Sequence, residues 1–570
     1  MRKSRLSELA LICAVVSGCA QDGGDAARED VAARSLFVDM TTAAGLTFLH
    51  DNGLSGRHLF PEIQGPGVAV FDYDRDGDLD LYFVQGGPLG QEFTDTPRRD
   101  RLYRNDLAAA EDGKPTLTLT DITDQSGIDA SQYGMGVAAG DIDNDGWTDL
   151  YLTTFGRNEL WRNNGDGTFS EIAAAAGVDD HRWSHSAAFF DYDRDGLLDL
   201  FVANYVDYRL ANHKECPDAT GTPDYCGPMA YRPAEDSLYR NLGNQRFERV
   251  NVSAGITARA SGLGVVTADF DANGWVDVYV ANDDMANQLW LNQGNGRFVD
   301  EALIRGTAVN SQGEAEASMG VDAGDVDGDG DVDLFVTHLR EETNTLYIND
   351  GEGFFTDRTI SAGLAAPSIG LTSFGTAFVD FDNDGRLDLP VVNGAVRAVQ
   401  TETGDRGSFP YEQSNQLFRN SGSKFEDFSA AAPDFTKAGV ARGLAVGDID
   451  NDGDIDLVIA HDHSEARLLI NTGADGQHWL GLRLTGANGR DMLGARAALI
   501  RSDGSRMWRR ARSDASYLSA NDPRVLFGLG TTASVSTVEI HWPDGSSETW
   551  SKLIPDRYHT LLQGQGGGQP

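Results

Sequence analysis

Short apolar runs dominate this chain, and each is cut off by a cluster of Asp, Asn and Gly. Val68-Ala69-Val70-Phe71 leads into an acidic loop, and Leu81-Tyr82-Phe83 leads out of it. Runs of this length, rich in β-branched and aromatic residues and bounded by turn formers, are strands rather than helices. Each unit continues into a Leu-aromatic-x-Asn strand and a tight turn. The stretch Leu160-Trp161-Arg162-Asn163-Asn164-Gly165-Asp166-Gly167-Thr168-Phe169 is the clearest copy, with cognates at Leu238 to Phe247, Leu289 to Phe298, Leu346 to Phe355 and Leu417 to Phe425. Asn-x-Gly supplies the turn chemistry of a hairpin. The pattern gives four strands per unit. Successive acidic loops lie 69, 50, 78, 56, 55 and 68 residues apart. These spacings exceed the roughly 40 to 50 residues of a plain blade, so some units carry insertions. The fold class predicted is all-β: a seven-bladed β-propeller followed by a small C-terminal β-domain.

The acidic loop recurs seven times, with carboxylates at its first, third, fifth and ninth positions and Gly at its sixth. The sets are Asp72, Asp74, Asp76 and Asp80; Asp141, Asp143, Asp145 and Asp149; Asp191, Asp193, Asp195 and Asp199; Asp269, Asp271, Asn273 and Asp277; Asp325, Asp327, Asp329 and Asp333; Asp380, Asp382, Asp384 and Asp388; Asp448, Asp450, Asp452 and Asp456. Only Asn273 departs from Asp. Alternate carboxylates on a tight loop converge on a hard cation that takes six to eight oxygens, which predicts up to seven calcium ions. Without a cation, four carboxylates so close would repel one another. An EF-hand needs Glu at position twelve and flanking helices, but position twelve of the first loop is Phe83 and both flanks are strands.

Charge adds less than its size suggests. The formal net charge is −42, with 88 Asp and Glu against 46 Lys and Arg. The calcium loops hold 27 of those acids, and setting them aside leaves −15. Most of the acidity is thus metal-site chemistry. Nucleic acid is excluded as a partner, because its phosphates would be repelled.

The first 18 residues read as an export signal: Arg2, Lys3 and Arg5, an apolar stretch from Leu9 to Val16, then Ser17-Gly18 before Cys19. The small residues before Cys19 resemble a bacterial lipobox, in which that Cys is lipidated, and Ala20 after it favours the outer membrane by the same resemblance. A plain cleaved secretion signal is the alternative. Residues 19–35 are small and polar, as a tether would be. An exported compartment permits a disulfide between the two remaining cysteines, Cys216 and Cys226, with a zinc pair as the rival.

Phe374-Gly375-Thr376-Ala377 and Gly67-Val68-Ala69-Val70-Phe71-Asp72, each running into an acidic loop, resemble the FG-GAP or VCBS repeats of integrin-α-type propellers. Leu493-Gly494-Ala495-Arg496, Phe527-Gly528-Leu529-Gly530 and Trp542-Pro543-Asp544-Gly545 resemble the ASPIC/UnbV module. Together they resemble the cartilage acidic protein family in its bacterial form. The resemblance implies a calcium-loaded propeller over residues 36–476 and a separate ASPIC/UnbV domain over 477–563, and it implies no reaction. Residues 564–570, rich in Gly, are expected to be disordered. Between Gln477 and Gln563 there are 11 Lys and Arg against 8 Asp and Glu. Arg506, Arg509, Arg510 and Arg512 there suit either an acidic partner or a solvated basic face.

Five residues beyond the last loop Asp stand Gln85, Thr154, Asn204, Asn282, His338, Asn393 and His461, all polar. A strand rises about 17 Å over five residues, so these emerge at the end of the ring opposite the loops. With Glu62, His185 and Arg442 entering from the same side, the set Glu62, His185, His338, His461 and Arg442 is a candidate ligand mouth. Ordinary strand-end turn chemistry is the competing reading. No Gly-x-Ser-x-Gly, His-Glu-x-x-His or phosphate-binding Gly loop occurs. The function expected is a non-catalytic scaffold of the cell envelope or extracellular space, touching the membrane only through its lipid anchor and binding a protein or polysaccharide. An enzyme or biosynthetic accessory factor with its active site at the mouth is the alternative. The repeat phase also predicts that Leu36-Phe37-Val38-Asp39 completes the last blade, beside residues 468–471.

Overall fold

The computed structural model describes residues 35–568, apart from 91–97, 110–114, 219, 399–409, 475 and 536. The export signal, Cys19 and the tether up to residue 34 lie outside the described residues. From Ser35 onwards the chain is one compact unit.

Seven four-stranded antiparallel sheets make up most of it. In the second, Gly134–Gly140, Asp149–Thr154, Glu159–Asn163 and Phe169–Glu171 pair in sequence order. Every residue of Gly134–Gly140 and of Asp149–Thr154 is buried. The sheets stand face to face, so both faces of an inner strand are covered, and small or β-branched residues fit that space. Innermost strands of successive sheets lie side by side, and Ala441–Gly447 of the last packs beside Val68–Phe71 of the first. The last sheet takes its outer strand from the other end of the chain: Phe37–Asp39 pairs with Arg467–Asn471, placing Phe37 opposite Asn471. That pairing follows the repeat phase, because Leu468 to Asn471 has no following partner of its own.

The Asn that ends each Leu-aromatic-x-Asn strand fastens the ring. Its backbone N–H donates to the ninth-position Asp of its own loop, as Asn163 does to Asp149 at 2.7 Å. Its side-chain amide crosses to the neighbouring loop, where Asn163 donates to the Tyr73 carbonyl at 2.8 Å. The same reach joins Asn241 to Ile142, Asn292 to Tyr192, Asn349 to Phe270, Asn420 to Val326 and Asn471 to Phe381. Asn105 to Ile449 crosses the seam between first and last sheets. Each such bond contributes about 1 kcal/mol net.

The C-terminal part forms two sheets around an apolar core that includes Leu480, Leu482, Phe527, Val538 and Ile540. It has this core of its own and is also threaded into the ring. Its segment Ser513 to Asn521 runs down the axis of the ring and is buried throughout. Ala520 exchanges backbone hydrogen bonds with Val68 and Val70, and Ser516 exchanges two with Val321. The Leu518 carbonyl accepts from Val137, Asp514 from Thr267, and Asn521 from Val446. Leu518 donates to Ser186, and the Tyr517 ring packs 4.9 Å from Phe374. All seven inner strands therefore touch the plug. It satisfies backbone groups that would otherwise line a channel. The tail departs from expectation, since Gly567–Gly568 pairs with Glu548 and Thr549. Glycine permits this close approach: a Cβ on Gly566 would lie 2.9 Å from the Trp550 ring.

Candidate metal centres and the two covered faces

The loops are built the same way each time. The sixth-position glycines, from Gly77 (φ 95°) to Gly453 (φ 93°), sit in the left-handed region that favours glycine. Their N–H groups donate to the first Asp, as Gly146 does to Asp141 at 2.8 Å and Gly453 to Asp448 at 2.9 Å. The ninth Asp is buried in every loop and accepts twice. Asp149 takes the Ile142 N–H on one oxygen and the Asn163 N–H on the other. In each of the first five loops, oxygens of the first, third and ninth carboxylates lie within 4.8 Å of one another.

Such crowding costs energy unless something neutralises it. Burial, aided by the neighbouring carboxylates, pushes Asp141, Asp191, Asp269 and Asp325 up to about 6, and Asp388 up to about 9. Asp80, Asp149, Asp199, Asp277 and Asp456 are raised well above the usual range, again mainly by burial. Buried carboxylate oxygens without a hydrogen-bond donor remain at Asp72, Asp74, Asp143, Asp191, Asp269, Asp382 and Asp450. Six of the seven loops contain one. Orphaned anionic oxygens with no nitrogen or sulfur among the donors fit a hard metal ion. In those five loops the fifth-position residue stands outside the triad, at the exposed rim.

The C-terminal part covers this face with arginines. Arg483 pairs with Asp72 at 3.1 Å. Arg490 donates to Asn144 and to the Gly196 carbonyl, Arg496 to the Gly330 carbonyl and Arg509 to the Gly385 carbonyl. Arg524 donates to the Asp448 carbonyl and to Asn451 at 2.7 Å each, and Tyr558 donates to Asp448. Arg510 and Arg512 reach inner-strand groups, the Ala323 carbonyl and Asp322. The acidic partner of these arginines is thus the chain's own ring. Arg506 is the exception, pairing with Glu539 inside the C-terminal part. Net charge by segment contained this signal, a basic module following a strongly acidic one.

The opposite face is closed by other means. Residues 50–64, the insertion carrying Cys216 and Cys226, and the segment near Tyr411 fold over it. The two cysteines are bridged, with Cα atoms 5.2 Å apart. Beneath lies an aromatic cluster in which Phe60 meets Trp183, Tyr205, Tyr208 and Tyr231. The five mouth candidates are all buried here, and no two of them share a hydrogen-bond partner among the described contacts. Glu62 accepts from Ser55 at 2.6 Å and from Tyr225 at 3.1 Å. Arg442 spends its guanidinium on the carbonyls of Ile63, Gly394, Ala441 and Ala395, and stacks on Phe374 at 4.1 Å. His338 lies 3.0 Å from Ser318 Oγ, and His185 packs against Trp183 and Tyr205. Burial pushes His185, His338 and His461 down to about 3, so these imidazoles are neutral.

The polar residues five beyond each loop serve the strand ends. The backbone N–H groups of Gln85, Thr154, Asn204, Asn282, His338 and Asn393 donate to Asp100, Asn158, Asp236, Asn287, Asn344 and Asn415. Each acceptor stands two residues before the Leu of the third strand, a periodicity that sequence reading passed over.

Comparison with known proteins agrees with this architecture. The FG-GAP-like repeat matches residues 141–202, 269–336 and 325–391, and the ASPIC and UnbV family matches 485–568. Mouse cartilage acidic protein 1 is 27% identical over 501 residues, covering 84% of this chain and 70% of its own length. The human protein is 26% identical over 505 residues, with 84% and 69% covered. Among solved structures, an Agrocybe aegerita lectin that recognises non-reducing terminal N-acetylglucosamine gives a TM-score of 0.36 at 16% identity, over 72% of this chain and 95% of that one. YCF48 bound to D1 peptide gives 0.38 at 8% identity, over 71% and 90%. The chain carries FG-GAP-like repeats and an ASPIC and UnbV domain, and is similar to the cartilage acidic proteins over most of its length.

Proposed function

We propose that this protein is a calcium-loaded, non-catalytic scaffold of the cell envelope or extracellular space that displays a rigid ring for binding a polysaccharide or protein partner. The observation that carries the calcium reading is the set of buried, donor-less carboxylate oxygens in six of the seven acidic loops. Only oxygen ligands surround them, and every loop has the glycine its turn requires. Calcium at the loops neutralises the acids and holds the turns in place. The Cys216–Cys226 bridge suits an oxidising, exported location. A lipid anchor at Cys19 would hold the protein to the envelope.

A scaffold is favoured over an enzyme because all five mouth candidates are buried, Glu62, His338 and Arg442 are engaged by different internal groups, and the imidazoles of His185 and His461 have no hydrogen-bond partner among the described residues. The test is metal analysis of the full chain after dialysis against calcium and then against metal-free buffer, with melting followed in parallel. Up to seven bound calcium ions and a lower melting temperature in chelator are expected. A chain that retains no calcium, and melts identically with and without it, would overturn the calcium reading.

A further inference from the structure

On the face away from the acidic loops, a groove of about 930 Å³ opens between the second, third and fourth sheets. Its floor is apolar, with Phe155, Val206, Tyr208 and Pro233. Arg182, Arg209, Arg232 and Arg259 stand around it, against Asp207 and Glu235 as the lining carboxylates. Four guanidinium groups against two carboxylates make a locally basic surface on a chain of net charge −42. Their engagement differs. Arg182 is tied to Asp180 at 2.6 Å and Arg209 to Asp207 at 3.0 Å. Arg232 and Arg259 are exposed and have no ion-pair partner among the described residues.

We propose that this groove binds an acidic polysaccharide, a chain of sugar rings bearing carboxylate groups. This rests on the scaffold reading above and names its partner class and site. A guanidinium grips a carboxylate through two parallel hydrogen bonds, and Arg232 and Arg259 are free to do so. Asp207 and Glu235, each held by one arginine (Glu235 by Arg249 at 2.9 Å), keep further lone pairs for hydroxyl donors, which sugars carry and acidic peptide side chains lack. The apolar floor receives the C–H faces of the rings. The volume lies within the range of ligand pockets, of the order of 300 to 1,000 Å³. The insertion that carries the Cys216–Cys226 bridge also supplies Arg209 and Arg232, so the bridge helps fix that wall of the groove.

The experiment is calorimetric titration of the full chain with tetragalacturonate, its methyl-esterified neutral counterpart, and poly-glutamate. Binding of tetragalacturonate only is expected, with at least a tenfold loss of affinity in Arg232→Ala/Arg259→Ala. Both side chains are exposed, so that variant keeps the parent's melting temperature, and its calcium response reports the loop reading independently. Unchanged affinity in the double variant would overturn the proposal, as would equal binding of the neutral oligomer or the absence of tetragalacturonate binding. Tighter binding of poly-glutamate would replace it with an acidic-peptide surface.

Discussion

Both ends of the ring are covered by the chain itself, but with opposite chemistry. At the loop end, buried carboxylates remain acidic groups in search of positive charge, and arginines from the C-terminal part lie over them. At the other end, the equivalent polar positions are mostly neutral, with Asn accepting the strand-end N–H in four of the six repeats where the bond occurs. One repeat unit thus meets the buried polar group in two ways: crowded carboxylates suited to a cation at one end, an amide at the other. On the calcium reading proposed above, stability at the loop end should depend on ions. At the opposite end it depends on packing and on keeping its few acids protonated.

Removing calcium should be the strongest test of that contrast. An ion that binds only the native state stabilises it by about 2.7 kcal/mol per site when its concentration is a hundredfold above Kd. With several sites the melting temperature in excess chelator should fall by more than about 10 °C. Hydrogen exchange should show the loss at the loops and the Ser513 to Asn521 plug, with the aromatic cluster around Phe60 least affected. Uniform loss at both ends would break the comparison.

The plug offers the next largest effect. An ideal Cβ on Gly67 would stand 1.9 Å from the Leu518 carbonyl oxygen, so Gly67→Ala must push the plug or the strand aside. A loss of about 3 kcal/mol by denaturant unfolding is expected. Gly370→Ala is the control, because a Cβ there meets nothing within 4 Å. Equal stability in the two variants would show that the axis is loosely filled.

Asp100 sharpens the other end. It accepts from Gln85 and Tyr82 in full burial, which pushes its carboxyl up to about 8. Its unfolded value is near 4, so from pH 4 to 8 the unfolded chain ionises while the native group stays protonated, and stability falls with rising pH. Four sister repeats already use Asn at this position. Asp100→Asn should therefore remove the slope and gain about 2 kcal/mol over the parent at pH 8, with little difference at pH 4. A variant equally destabilised at both pH values would show that the carboxyl is needed as such.

Much of this architecture was legible in the sequence, for a physical reason. The loop chemistry is local: Asp72 to Asp80 make their site within nine residues, so spacing alone carries it. The same is true of strand pairing, where Phe37 meets Asn471 because repeat phase left both without partners. What escaped was chemistry made by the third dimension. Glu62, Arg442 and the histidines are polar in sequence, yet all of them are buried, Glu62 under Tyr225 of a distant insertion and His185 against Trp183 and Tyr205. In the sequence Arg506, Arg509, Arg510 and Arg512 suit either an acidic partner or a solvated face, and only the ring packed against Arg509, Arg510 and Arg512 decides for the first. The plug carries no periodic signal, because Ser513 to Asn521 is a short irregular stretch whose partners are seven strands far away in sequence.

The loops themselves differ in a way that the comparison can use. The residue before the ring-fastening Asn is Arg162 in the second loop, where it pairs with Asp143 at 2.6 Å and Asp145 at 2.5 Å. Arg240 does the same to Asp193 and Asp195, and Arg419 to Asp382 and Asp384. The fourth, fifth and seventh loops carry Leu291, Ile348 and Ile470 instead. A guanidinium on the third and fifth carboxylates neutralises part of the charge that a cation needs, so these loops should bind calcium more weakly and hold their shape better without it. Arg162→Leu should then tighten one calcium site by about tenfold, close to 1.4 kcal/mol, and Leu291→Arg should weaken another by a similar factor. Terbium luminescence, excited through Trp147 beside the second loop and Trp275 beside the fourth, follows the two sites separately. If the exchange moves neither affinity, the arginines swing clear when the ion arrives, and the seven loops act as one class.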